Sequence, residues 1–246
     1  MALSAGERTR IPSQGRVGMN SKEQILARVR EALRVSAPAP GRHGGPKHEP
    51  ASLASPGTMR RWLPPVGNTF EQRLALFRKN AVQLKADFQL LQNGDELAAV
   101  LSRLREAENW KRVGAHAGEL TDTACRALGL PVCRTDLSYS IADLEQCDVG
   151  LTECDALVAQ TGSVLVTSRS AGGRALSVLP PHHVVLARRE QLVGDLSDAF
   201  ALLKEKYGAN YPSFISFITG PSRTGDIERV LVLGAHGPKK LTILCV

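Results

Sequence analysis

The segment Ile218 to Pro238, ITGPSRTGDIERVLVLGAHGP, sets Gly220, Gly225, Gly234 and Gly237 among Pro221, Pro238 and three consecutive polar residues, Ser222, Arg223 and Thr224. Glycines at this spacing let backbone N–H groups approach a ligand, and the planar fork of Arg223 beside them can pair both oxygens of a carboxylate or phosphate. The chemistry this suggests is anion binding, over Thr219 to Asp226. The Gly220 to Gly225 spacing imitates a phosphate-binding P-loop, but Asp226 stands where that motif requires Lys, so a nucleotide site fails on that residue. What survives is a turn after a strand ending at Thr219, in which Ser222 or Thr224 caps a short helix through Ile227. A carboxylate beside a bound anion repels it, so Asp226 is expected to turn inward onto the loop or Arg223. The same capped turn without a ligand is the alternative. A second Gly-hydroxyl turn, Gln160-Thr161-Gly162-Ser163, introduces another strand, and ligands of open α/β sheets collect at strand ends.

His116, His182, His183 and His236 are the remaining candidates for chemistry. Adjacent His182 and His183 point to opposite faces of a strand, and no i, i+4 pairing accompanies any of them, so no metal site is expected. His183 or His236 is open to a role as proton donor or anion partner, with a structural role as the alternative. Cys125, Cys133, Cys147, Cys154 and Cys245 contain no C-x-x-C pair, which excludes the usual zinc and iron–sulfur spacings and a disulfide framework. No cofactor is expected on this chain.

These residues need elements to hold them. Phe70, Leu74, Phe77, Ala81, Leu84 and Phe88 recur at steps of four and three, predicting a helix with a buried face from Asn68. A strand near Phe88 to Leu91, a helix from Asp95, a short strand at Val113 and a helix from Leu120 to Leu128 follow. Alternating types mean parallel strands with crossovers. Runs at 163–168, 183–188, 214–219, 229–234 and 241–246 read as strands, most of them central in the sheet, with one long helix from Asp195 to Tyr207 among them. The expected fold is a three-layer α/β/α sandwich with some mixed pairing.

The formal charge of +7 is confined to the leader: residues 1–66 hold 11 Lys and Arg against 4 Asp and Glu, and residues 67–246 hold 20 against 20. A balanced folded part without interleaved aromatics argues against nucleic acid as a partner. No apolar run reaches membrane-span length, and reduced cysteines favour a cytoplasmic location. Residues 1–18 read as a disordered leader or an over-extended start, with Met19 opening the chain proper. Residues 19–35 hold an amphipathic helix with Ile25, Val29 and Leu33 on one stripe, and residues 36–66 form a linker holding seven of fourteen prolines. The α/β domain spans 67–246.

The blocks GLTECDALVAQTGSVLVTS, RALSVLPPHHVVLARREQLV and FITGPSRTGDIERVLVLGAHGP resemble the three successive blocks of the lactate-utilisation (LUD) domain. With the N-terminal helix and the chain length, they are similar to the lactate utilisation protein C family. The resemblance implies a fold like that of the NagB/RpiA/CoA-transferase class. It also implies a role beside two iron–sulfur partner proteins in oxidising L-lactate to pyruvate, the clusters belonging to the partners. By position, the family's motif residues fall on Thr152, Thr161, Gly162, Ser163, Pro180, His183, Gly220, Pro221, Ser222, Arg223, Thr224, Asp226, Ile227, Glu228, Gly234, His236, Gly237 and Pro238. Where relatives carry an acidic residue before the T-G pair, this chain has Gln160, and an amide serves neither as nucleophile nor as general base. Three functions follow: a ligand- or partner-binding component of a lactate-oxidising system, an independent enzyme on a phosphorylated or CoA-linked metabolite, or an assembly or regulatory subunit without a ligand site.

Overall fold

Residues 21–34, 65–227, 230–233 and 237–246 are described in the structure, a computed structural model. The chain divides into two units, Met1–Leu53 and Ala54–Val246. In the first, helix α1 (Ser21–Arg34) carries Glu23 in its first turn and Arg34 in its last, the polarity that suits a helix dipole. The expected leader at 1–18 lies outside the described residues, as does the expected linker except for Pro65 and Val66.

The second unit begins with α2 (Phe70–Gln83), started by a capping box between Thr69 and Gln72. The helix stops before Leu84 and Phe88, and Phe88 belongs to β1 (Asp87–Leu90). Then come α3 (Gly94–Glu108), β2 (Val113–Ala115), α4 (Glu119–Leu128), β3 (Val132–Arg134), α5 (Ile141–Glu145) and β4 (Val149–Glu153). The second half supplies β5 (Ala156–Val158), β6 (Ser163–Thr167), β7 (His182–Ala187), β8 (Leu192–Val193) and α6 (Leu196–Tyr207). It closes with β9 (Ile215–Ile218), β10 (Arg223–Ile227), β11 (Val230–Leu233) and β12 (Lys240–Cys245).

Six strands form a parallel sheet in the order β1-β12-β7-β4-β2-β3. Its four interior strands are buried on both faces, so each alternates between two cores rather than between core and water. Val184, Leu186 and Leu244 face Leu97 and Leu101 of α3 and Leu120 and Leu128 of α4. Val185, Ala187, Leu241 and Ile243 face Phe77 and Ala81 of α2 and Leu157, Val164 and Val166 of a second sheet. That sheet, β8-β5-β6-β9, is mixed, and α6 covers its far side through Ala199, Leu203 and Tyr207. Leu186 and Ile243 are wholly buried on opposite faces, each contributing about 1.5–3 kcal/mol of apolar burial. The molecule is thus a mixed α/β protein with a mainly parallel sheet flanked by helices, as the alternating pattern predicts.

Two expectations are corrected. Residues after Ser222 do not form a capped helix: Arg223 to Ile227 is strand β10, paired antiparallel with β11 as a separate hairpin. The β-branched Thr224 and Ile227 of this stretch, paired with the β-branched Val232 and Val230, favour pairing over a helical turn. The 214–219 run is likewise not central. It is the edge strand β9, which pairs only with β6 in its sheet.

Candidate functional site

The end of α2 is a platform for both Gly-hydroxyl turns. Asn80 Nδ2 donates to the carbonyls of Ala159 and Gln160, each at 2.9 Å, holding the β5–β6 turn against the helix. Gly162 there has φ +66°, and a Cβ on it would lie 2.8 Å from Asn80 Cβ and 3.0 Å from the Ala81 nitrogen. Gly220, after β9, has φ +82°, and its Cβ would meet the Leu84 carbonyl oxygen at 2.6 Å. Both positions need glycine for conformation and for space. The two turns touch: Ser163 Oγ and Thr219 Oγ1 share a hydrogen bond of 2.8 Å. The second turn is also closed on the segment before β12, where Ser222 N–H donates to the Pro238 carbonyl at 2.9 Å.

Beneath the second turn lies a cavity of about 190 Å³, lined by His183, Gly220, Pro221, Ser222 and Gly237, with Ser177, Val178, Ile218, Pro238 and Leu241 completing its wall. Residues of three distant stretches meet here because β7 and β12 are neighbours and the 220–222 turn folds over their first residues. His183 is 1% exposed, and its Nε2 is 2.8 Å from Thr152 Oγ1 on the adjacent strand β4. Burial, reinforced by the charge His182 would carry, pushes its pKa down to about 3. The ring is therefore neutral near pH 7, and its Nδ1 has no hydrogen bond among the described residues. It can offer one donor or acceptor to a ligand, but not a positive charge. His182 points to the other face, as the strand geometry predicts: its Nε2 is 2.9 Å from Thr242 Oγ1 and its ring packs edge-on against Trp110.

A family model described as LUD domain matches residues 74–246. The chain belongs to the LUD domain family. Among similar proteins is "Lactate utilization protein C" of Geobacillus sp. (strain WCH70), 39% identical over 115 residues that cover 46% of each chain. The protein of the same description from Shouchella clausii (strain KSM-K16) is 37% identical over 112 residues, 45% of this chain and 49% of the relative. This chain thus spans about half the length of the curated relatives it matches. The crystal structure of a DUF162 family protein from Deinococcus radiodurans superposes with a TM-score of 0.56 at 21% identity, covering 73% of this chain and 99% of that one. That likeness concerns the fold.

In this LUD domain the remaining candidate residues are dispersed. Arg223 is exposed, and its Nη2 donates to the Thr219 carbonyl at 3.4 Å, a long bond. Its guanidinium lies over Gly220, where a Cβ would come within 3.1 Å of Nη2, at the turn rather than in the cavity wall. Thr161 is not in that wall either, although its Oγ1 is buried without a hydrogen bond among the described residues. The side chains of Thr224 and Asp226, and all of Glu228, Gly234 and His236, lie outside the described residues, as does the expected inward turn of Asp226. Because β10 replaces the expected helix, no helix N-terminus backs an anion at this turn. The strand-end argument also shifts, since the cavity sits at the first residues of β7 and β12 while the crevices of a parallel sheet open at its carboxyl ends. Sequence reasoning missed Asn80 and Leu84, the platform residues. A polar Asn next to the apolar stripe of α2, between Phe77 and Ala81, was the available signal.

Among the described residues no three His, Cys, Asp or Glu side chains gather as a metal-binding group, and no helix is long and apolar enough to cross a membrane. Burial raises the thiols of Cys147 to about 12 and Cys245 to about 11, which makes both poor nucleophiles.

Proposed function

We propose that this protein serves lactate utilisation as the component without an iron–sulfur cluster in a system oxidising L-lactate to pyruvate beside iron–sulfur partners, and that it binds a small ligand at the His183 cavity. Membership of the LUD family and the names of its relatives support the process. The observation that carries the site is convergence: His183 from the second sequence block and Gly220, Pro221, Ser222 and Gly237 from the third line one cavity. Its 190 Å³ is below the ~300–1,000 Å³ of common metabolite sites, which favours a ligand of few atoms such as a short carboxylic acid. His183 would supply a neutral hydrogen bond, the turn its backbone groups, and Arg223, held by one long bond, would swing to pair the carboxylate.

A second reading as an assembly subunit draws on the Ser163–Thr219 bond and the Ser222–Pro238 closure, which together make a clasp that needs no ligand. One variant separates the two. Arg223→Ala should stay within about 0.5–1 kcal/mol of wild-type stability, since the side chain is exposed, and should weaken binding of L-lactate or pyruvate by about 1.5–3 kcal/mol. Calorimetric titration and thermal unfolding measure both. Several kcal/mol of lost stability with no binding to the wild type would establish the clasp. For the process itself, lactate-dependent dye reduction by the native complex should fall when this subunit is omitted.

A further inference from the structure

A second cavity, of mixed chemistry, lies elsewhere, where the parallel sheet ends. It measures about 470 Å³ and its lining includes His116, Gly118, Glu153, Arg169, Lys206 and Tyr207. His116 directly follows β2 and Glu153 closes β4, and these strands are parallel neighbours, so the cavity occupies the carboxyl-end crevice in which α/β sheets hold ligands. None of its lining residues belongs to the His183 cavity.

Its walls are already positioned. Glu153 Oε1 accepts from the backbone N–H groups of Leu120 and Thr121, at 2.9 and 3.3 Å, and so caps α4 from another element. Gly118, the N-cap residue, has no side chain for that purpose, and a Cβ there would lie 2.3 Å from Oε1, so glycine makes room for the carboxylate. The helix N-terminus is thereby occupied by the protein's own anion. Oε2 of Glu153 makes no hydrogen bond among the described residues and remains an acceptor. His116 is tied on both nitrogens, Nδ1 to the Ala117 carbonyl at 2.8 Å and Nε2 to the Glu153 N–H at 3.2 Å. It steadies the wall and has no nitrogen left for a ligand.

The cations differ in the same informative way. Lys206 Nζ is 2.6 Å from Asp155 Oδ1, which Tyr207 also bonds at 2.6 Å, so its charge is matched. Arg169 has no carboxylate partner among the described residues. Its Cζ sits 5.2 Å from the Tyr207 ring centroid and its Nη2 donates to the Asn210 carbonyl at 3.2 Å, which fixes the guanidinium while leaving Nε and Nη1 as donors. One end of the cavity therefore offers an unmatched planar cation, and another offers a fixed carboxylate oxygen.

We infer that this cavity binds a small oxyanion that also carries a hydroxyl, the carboxylate or phosphate oxygens pairing with Arg169 and the hydroxyl donating to Glu153 Oε2. The hydroxyl is required because a bare anion would face Glu153 with nothing to donate. Titration calorimetry on the full chain, with D-glycerate and glycerol 3-phosphate as probes, distinguishes a carboxylate from a phosphate. At least one should bind, and Arg169→Gln should weaken it about tenfold or more. Glu153→Gln should abolish the preference for glycerol 3-phosphate over propyl phosphate, which lacks the hydroxyls. The inference is overturned if neither probe binds the wild type at about 10 mM, or if binding survives in Arg169→Gln. Arg169 is exposed, so its variant folds even if Glu153→Gln does not. Loss in Arg223→Ala alone would return the ligand to the His183 cavity and also refute this assignment.

Discussion

Buried His182 and His183 make stability fall on mild acidification. Burial holds His182 to about 4, with smaller effects from Glu108 and Asp87, which raise it, and from Lys240, which lowers it further, and burial holds His183 to about 3, against about 6.5 in an unfolded chain. Between these values the unfolded state binds protons that the folded state refuses, so stability rises with pH and is lost as pH falls below 6.5. At pH 5 each ring costs about 2 kcal/mol by this linkage, and the pair about 4 kcal/mol, a large part of the ~5–15 kcal/mol that holds a domain folded. Asp155 cannot cause the same loss in this window: burial raises its carboxyl, but hydrogen bonds from Lys206, Ser170 and Tyr207 and the Lys206 charge together outweigh that and hold it below 3.8, so its contribution is lost only at lower pH. The assay is urea unfolding at pH 7 and pH 5 for wild type and for the His182→Gln/His183→Gln double variant. The variant should be weaker at pH 7, having lost well-packed rings, yet should lose about 4 kcal/mol less than wild type between the two pH values. Equal losses in both proteins would refute the claim that these imidazoles are neutral and desolvated in the fold.

Asp155→Ala should destabilise by about 2–4 kcal/mol in chemical denaturation, because a fully buried carboxylate that binds Lys206 and Tyr207 is removed and the Tyr207 hydroxyl keeps only Thr167 Oγ1, at 3.1 Å, as a partner. Lys206→Met should cost less than Asp155→Ala but still about 1–3 kcal/mol, because the lysine is 49% exposed while the carboxylate it leaves behind is fully buried. Gly162→Ala should cost about 1–3 kcal/mol by thermal unfolding, since φ is positive and the added methyl meets the α2 backbone, whereas Gly129→Ala, with nothing within 4 Å, should bear only the conformational part.

Much of the parallel sheet was legible because β1, β2, β7 and β12 are apolar runs separated by amphipathic helices, and buried strands announce themselves by composition, whereas the interior strand β4, Val149–Glu153, was not expected. The His182/His183 split was legible for a simpler reason, the two-residue period of a strand. The hairpin of β10 and β11 was not, because Ser222 and Thr224 are as good at capping a helix as at lying in a strand, and only the partner strand decides between them. β3, β5 and β8 are two or three residues long, too short for any periodicity to register. At the site, the glycines were readable as exceptional, but what they approach, Asn80 and the Leu84 carbonyl, is set by packing across about 80 or more residues of sequence. The Glu153 cap of α4 left no local signature at all, since the cap residue and the helix lie on different elements.

In the sheet order β1-β12-β7, β1 has a single partner, and that partner is the strand made last of the six. On a ribosome, the chain up to β11 can pair β7 with β4, β4 with β2 and β2 with β3, but β7 then presents an open edge and β1 has no neighbour in that sheet. The half-built protein is exposed to pairing with other nascent chains, since an unpaired apolar strand edge is a template for association. Release of β12 closes both gaps in one step, fixing β1 through Asp87 to Leu90 and β7 along its whole length. Quality control of this protein in the cell should therefore act chiefly on chains stalled before residue 240.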